Sequence, residues 1–217
     1  MKDEFGKTTE EILEEIKAEE RRKETNGIVK ESAVQYTADK QLYSVEGYFE
    51  LEDFVEYELI YGRLVHYNSP GYSHQRSSFQ ISKRFDDYIT SNKGKCKVIP
   101  APFCVVLDEV DAVVVQPDIS IICNTELIKN EYCYGAPDII VEVVSPSNKN
   151  RDYHQKVALY KEYGVKEYWI IDLELERVTL YNMVNGGMPQ ISGMKDTVYS
   201  TVLNGFALNL QSIYDSI

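Results

Sequence analysis

The chain has 217 residues, 43% hydrophobic and 27% charged, with a formal net charge of -12 at pH 7. That length suits one ordinary domain with an appendage and can bury a sizeable core. The acidity opposes broad attraction to nucleic acid, no apolar run approaches the roughly 18 residues of a bilayer span, and the charged opening MKDEFGKTTEEILEEIKAEE lacks the apolar centre of a secretory signal.

A cytoplasmic chain with no membrane association is therefore expected. Residues 1–41 hold 8 Lys+Arg and 11 Asp+Glu, so -9 of the net charge belongs to residues 42–217. The two stretches divide the chain into a charged N-terminal extension (1–41) and a domain (42–217). In the extension, Thr8 and Glu11 fit a capping box ahead of a helix with only Ile12, Leu13 and Ile16 to bury, and Thr25-Asn26-Gly27 ends it.

Ser44 suits the cap of a short helix through Leu51, and YELIYGRLVHY alternates around Tyr61-Gly62 as a hairpin does. After Pro70-Gly71, the spacing of Phe79, Ile81, Phe85, Tyr88 and Ile89 predicts a helix closed near Asn92 to Gly94. Then KVIPAPFCVVL, AVVVQPDISIICN and DIIVEVVS read as strands, and their near-continuous apolar runs call for a sheet covered on both faces. Arg151 to Tyr163 reads as a helix stopped by Gly164, followed by strands KEYWIID and ERVTLY; the tail from Thr197 alternates weakly, as edge strands do. The fold class is α+β with a central mixed sheet and helices packed against it. Cys96, Cys104, Cys123 and Cys133 have no metal-ligand spacing and read as buried thiols.

Glu142 interrupts an apolar strand, on the same side as Ile140 and Val144, with Asp138 four residues earlier. An ionised carboxylate there costs several kcal/mol unless it is paired, protonated or metal-bound. Asp118 sits in a similar setting, between AVVV and ISII. Two carboxylates on neighbouring strands, with the backbone carbonyl of Val143, suit a hard cation such as Mg2+. Lys156, in the next helix near Tyr153, Val157 and Tyr160, can orient an attacking water or offset charge on a phosphorane-like transition state, or else be a solvated helix lysine. Ser145-Pro146 ends the strand so that this helix can turn back over the site.

The ordered set YELIYGRLV, SPGYSHQ, VVQPDISII, GAPDIIVEVVSPSN and RDYHQKVALYKEYGVKEYWIID, covering roughly Tyr43 to Tyr181, resembles the Uma2 family (DUF820) of restriction-endonuclease-like proteins within the PD-(D/E)XK nuclease superfamily. The resemblance implies a restriction-endonuclease-like core and Mg2+-dependent cleavage of DNA, with Mn2+ able to substitute. It assigns the metal to Asp118, Glu142 and the Val143 carbonyl, the catalytic lysine to Lys156 in place of the superfamily position held here by Val144, and an accessory acid to Glu58. His74 and Gln75 match a family position near the start of the long helix and are candidates for phosphate contact. Asp138, Arg151 and Tyr160 are candidates for supporting or substrate contacts, and Arg151 with Asp152 also suits a helix-start salt bridge. Tyr61 and Arg63 depart from the acidic or Asn residue and the Glu usual in the family hairpin. The expected partners are DNA and a second copy of the chain as a homodimer. The rival expectation is an inactive nuclease-fold domain acting as a dimeric interaction module; a carboxylate-pair glycosidase is not supported by the lysine placement.

Overall fold

The computed structural model describes residues 41–66, 70–144, 151–186 and 188–215. The expected helix of the N-terminal extension and the Ser145-Pro146 turn lie outside them. Helix α1 (Val45–Phe49) begins as expected, Ser44 Oγ accepting a hydrogen bond from the Gly47 amide at 3.1 Å. A 3-10 turn (Phe54–Glu56) leads into strands β1 (Tyr57–Ile60) and β2 (Arg63–His66), paired antiparallel. Their turn holds Tyr61 at φ 50° and Gly62 at φ 75°, the left-handed pair that a two-residue hairpin with the native strand twist requires.

Helix α2 (Tyr72–Ser91) buries Ile81, Phe85 and Ile89, with Ser77, Ser78 and Ser82 beside them, where small side chains let the helix lie close. Phe79, expected on this inner stripe, is instead 58% exposed under the Arg76 guanidinium. It lies two residues from Ile81 and so falls on the far side of the helix.

The strands expected from KVIPAPFCVVL and AVVVQPDISIICN each split in two. Strands β3 (Lys97–Pro100) and β4 (Val105–Asp108) join different sheets, as do β5 (Val113–Val115) and β6 (Ile119–Ile122). Prolines sit at both breaks: Pro117 lacks the N–H that a ladder needs, and the same holds for Pro100 and Pro102. Next come a 3-10 turn (Thr125–Leu127), β7 (Ile128–Lys129), β8 (Tyr132–Tyr134) and β9 (Ile139–Val143). A π turn (Arg151–Gln155) opens helix α3 (Lys156–Glu162), which Gly164 ends at φ 86°. Strands β10 (Glu167–Asp172), β11 (Arg177–Asn182), β12 (Gln190–Gly193), β13 (Thr197–Tyr199) and β14 (Ala207–Asn209) and helix α4 (Gln211–Tyr214) complete the chain.

One sheet runs β2-β1-β5-β4-β8-β7 and the other β12-β11-β10-β9-β6-β3; β13 and β14 pair with each other. In the second sheet β9 and β10 are parallel, as β4 and β8 are in the first, and the other pairings are antiparallel, so both are mixed sheets of an α+β fold. One face of the second carries Ile139, Val141 and Val143 against α2, and the other carries Ile140 and Val144 against Leu159 and Tyr160 of α3 and Val105, Val113 and Val115 of the first sheet. Every residue of β9 is buried. Each buried Ile or Val contributes about 1.5–3 kcal/mol, enough together for the strand to carry a paired carboxylate at its centre.

The cysteines differ in part from expectation. Cys96 and Cys123 form a disulfide, while Cys104 and Cys133 are the buried free thiols. The β3–β6 register sets Lys97 opposite Ile122, which brings the flanking cysteines face to face; nothing in the spacing of cysteines reveals such a register. Glu167 is fully buried and is held by Trp169 Nε1, the hydroxyls of Ser200 and Thr201 and the amides of Thr201 and Val202. It ties β10 to the loop that follows β13.

Candidate active site

The break at Gln116-Pro117-Asp118 is where the chain passes from one sheet to the other, so Asp118 stands at that crossing with its side chain largely buried. Asp118 Oδ2 accepts the Val143 amide at 2.8 Å and lies 3.0 Å from His74 Nε2. Glu142, on the adjacent strand, receives Lys156 Nζ at 2.6 Å and the Tyr160 hydroxyl at 2.9 Å on Oε1, and the Asp118 amide approaches its Oε2 at 3.4 Å. Asp118 and Glu142 thus meet as the sequence implies.

Lys156 is not a solvated helix lysine, because its side chain is only 9% exposed. Its ammonium also lies 3.5 Å from Glu58 Oε1 and 3.7 Å from Asp152 Oδ1. Glu58 Oε1 further accepts the Gln116 amide at 3.0 Å, and its Oε2 pairs with Arg151. Gln116 in turn donates through Nε2 to the Tyr57 carbonyl at 2.8 Å and the Tyr48 hydroxyl at 3.1 Å, which fixes the start of β1 and hence Glu58.

The π turn explains how one helix end supplies so many groups. In an α-helix, residues five apart sit about 140° apart around the axis at 3.6 residues per turn. A turn closed i to i+5 is wider and narrows that angle. Arg151 and Lys156 therefore both reach Glu58, and Asp152 meets Lys156 one turn on.

Four carboxylates, Glu58, Asp118, Glu142 and Asp152, consequently surround two fixed cations, Arg151 and Lys156. Burial pushes Glu142 up to about 8; Lys156 pulls it down, and the neighbouring charges of Asp118 and Asp152 push it up again. Burial also raises Asp152, against the attraction of Lys156 and with a further push from Asp118. His74 is pulled down by burial, but the hydrogen bond and charge of Asp118 outweigh this and leave it raised. Burial above all, and then Glu142, hold the Tyr160 phenol well above its ordinary value, so it is a donor.

Other candidates fall elsewhere. Asp138 stands four residues before Glu142, about 13 Å along the strand, where it takes Lys166 at 2.6 Å and the Cys123 amide at 2.7 Å. It anchors the start of β9 and is not in the site. Gln75 is exposed on the first turn of α2, whereas its neighbour His74 turns inward. Asp152, which the sequence suits to a helix-start salt bridge with Arg151, stands in the site beside Lys156, and its i, i+4 spacing to that lysine is the available signal. Nothing in the sequence marks the role of Gln116.

Among the described residues, no three His, Cys, Asp or Glu side chains converge into a ready-made ligand set. Mg2+ does not demand one, since it keeps several waters and is commonly bound through one or two carboxylates. The donor chemistry fits, because the four carboxylates there outnumber the two fixed cations.

Residues 45–211 match the model of the family Uma2, described as "Putative restriction endonuclease". The chain belongs to the Uma2 family. Among solved structures, one from Anabaena variabilis, described as a putative nuclease belonging to DUF820, superimposes with a TM-score of 0.67 at 14% identity, covering 79% of this chain and 97% of that one. At that identity the likeness is one of fold, and it bears out the α+β class of mixed sheets with a few helices packed against them. No curated protein matches. No helix of the described residues is long and apolar enough to cross a membrane. The Uma2 motifs fall where the geometry converges: YELI carries Glu58, QPD carries Asp118, VEVV carries Glu142, and RDYHQK carries Arg151, Asp152 and Lys156.

Proposed function

We propose that this Uma2 protein is a Mg2+-dependent endonuclease hydrolysing phosphodiester bonds in DNA, with Mn2+ able to substitute. The observation that carries the reading is the buried cluster of carboxylates around Lys156, which lines a cleft, with Glu142 raised to about 8 beside that lysine. Perturbed acids of this kind, set against a specific charge partner in a cleft, mark functional sites.

Asp118, Glu142 and the Val143 carbonyl would hold the cation, which supplies Lewis acidity toward a phosphoryl oxygen and a more acidic bound water. Lys156 is the group placed to neutralise charge developing on the phosphoryl oxygens or to orient the attacking water, since a pre-positioned ammonium in a water-poor site needs no reorganisation. Glu58, through Lys156 and Arg151, sets where those cations stand. Tyr160 orients Glu142 by its 2.9 Å hydrogen bond, and His74 steadies Asp118 from α2.

The test is cleavage of supercoiled, linear and single-stranded DNA by purified protein with Mg2+ or Mn2+, beside Asp118→Asn and Lys156→Ala. Cleavage that both substitutions abolish in folded protein supports the assignment. Metal-independent cleavage, or none with either metal, overturns it.

A further inference from the structure

A cleft of about 300 Å3 opens beside the site, between the β1–β2 turn and helix α3. Its position follows from two periodicities. On β1, Ile60 shares a face with Glu58 and lies about 7 Å further along. On α3, Gln155, Ala158 or Leu159, and Glu162 repeat at the spacing of one helix face. The cleft therefore starts at Arg151 and Lys156 and runs outward to Tyr61 and Glu162.

The chemistry changes along that run. The inner end is cationic, the middle is apolar with Ile60 and Leu159, and the outer end holds the 47% exposed Tyr61, whose hydroxyl donates to Glu162 Oε2 at 2.7 Å. That hydrogen bond holds the Tyr61 ring in place as a wall.

We propose that this cleft takes one unstacked nucleobase next to the scissile phosphate, so that the preferred substrate is single-stranded or carries an extrahelical nucleotide. The inference rests on the nuclease reading above and deepens it. A cleft with an apolar middle of Ile60, Ala158 and Leu159 and an aromatic ring at its rim suits a base, for which aromatic stacking is tolerant of sequence. The Glu162 carboxylate at the outer end repels a phosphate, so the strand's backbone cannot run there. It accepts hydrogen bonds from the exocyclic amino group of cytosine or adenine, and the Gln155 amide can both donate and accept. In a duplex the same base is stacked and paired, and extruding it costs a few kcal/mol. Tyr61, the departure from the family hairpin, is thereby given a role in substrate choice.

The experiment uses full-length Asp118→Asn protein with Mg2+ and a fluorescent DNA oligonucleotide, single-stranded or annealed to its complement, read by anisotropy. Tyr61→Ala removes the wall, and Ala158→Trp fills the cleft from an exposed helix position. Single strands should bind at least about tenfold more tightly than duplex, and each variant should lose about that factor on single strands only, the scale of one aromatic stack. Equal affinity for both forms, no binding, or variants within twofold of the parent on single strands would overturn the cleft. Cleavage by the otherwise native enzyme that Tyr61→Ala leaves unchanged on single strands would also overturn it, with hydrolysis still standing. Cleft-dependent binding without any cleavage would support the cleft and sink only the hydrolytic reading.

Discussion

Replacing Lys156 by Met asks whether one buried ammonium holds the site together. Methionine keeps an unbranched side chain of similar reach, so the volume change is small and the loss is mainly electrostatic. The ammonium lies 2.6 Å from Glu142, 3.5 Å from Glu58 and 3.7 Å from Asp152, and its removal leaves Glu142 without its cation. Breaking one partner of a buried pair costs about 3–5 kcal/mol, a large share of the roughly 5–15 kcal/mol that keeps a domain folded. The three carboxylates do not each lose that much, because Arg151 remains on Glu58 and Glu142 can take up a proton.

That proton gives the prediction its sign. Glu142 is raised from 4.5 to about 8 in the folded protein, so the folded state binds more protons than the unfolded state between those values. Its contribution to stability is fully present below about pH 4.5 and is lost as pH rises through about 8. Without Lys156, a group that pulls Glu142 down, its folded value climbs further. The variant should therefore trail the wild type by about 3–5 kcal/mol at pH 8.5 and by roughly 1 kcal/mol less at pH 5, because a wild-type folded value of about 8 caps what ionisation of Glu142 adds by pH 8.5. The assay is urea unfolding in EDTA at both pH values, with equal slopes required before midpoints are compared. Adding Glu142→Gln to Lys156→Met should recover most of the loss at pH 8.5, since no unpaired charge then remains on that strand. A deficit under about 1 kcal/mol at pH 8.5, the scale of an exposed ion pair, or one indifferent to pH, would refute the reasoning.

Mg2+ at about 100 times its dissociation constant should stabilise the wild type by about 2.7 kcal/mol and Asp118→Asn hardly at all, read as a shift in thermal midpoint. The Cys96–Cys123 disulfide closes a 27-residue separation, so in the chain-entropy model Cys96→Ser with Cys123→Ser costs about 3.5 kcal/mol; urea midpoints unaffected by the pair of substitutions would count against a formed bridge. Burial holds the Cys104 thiol up at about 11 and Cys133 at about 12, so neither should react with an aromatic disulfide reagent at pH 8 until urea unfolds the protein. Glu167→Leu should destabilise by several kcal/mol, because it strands the Trp169 and Thr201 donors in the interior; a loss under about 1 kcal/mol would show that water replaces the carboxylate.

What the sequence reveals and hides at this site follows from the range over which each interaction acts. Glu142 is visible because its cost is local: a charge in an apolar strand is anomalous by its neighbours alone, and Asp118 repeats the anomaly beside Pro117. The partner of Glu142 is harder to see. A metal shared with Asp118 answers the anomaly on paper, yet the fold first supplies Lys156 and Tyr160 from the following helix, and their approach depends on a π turn that no residue pattern announces. His74 looks like an exposed helix-end histidine for the same reason, since only the packing of α2 on the second sheet brings it to Asp118. The apolar runs show that strands exist but not which sheet each joins, and that missing fact builds the cleft. Because β5 and β6 belong to different sheets, Asp118 stands at their divergence, with β1 and its Glu58 on one side and β9 with its Glu142 on the other. A single continuous strand through Gln116-Pro117-Asp118 would place the same three carboxylates on one surface, open to water and with little reason to shift their proton affinities. The proline that breaks the ladder is thus as necessary to the site as the acids it separates.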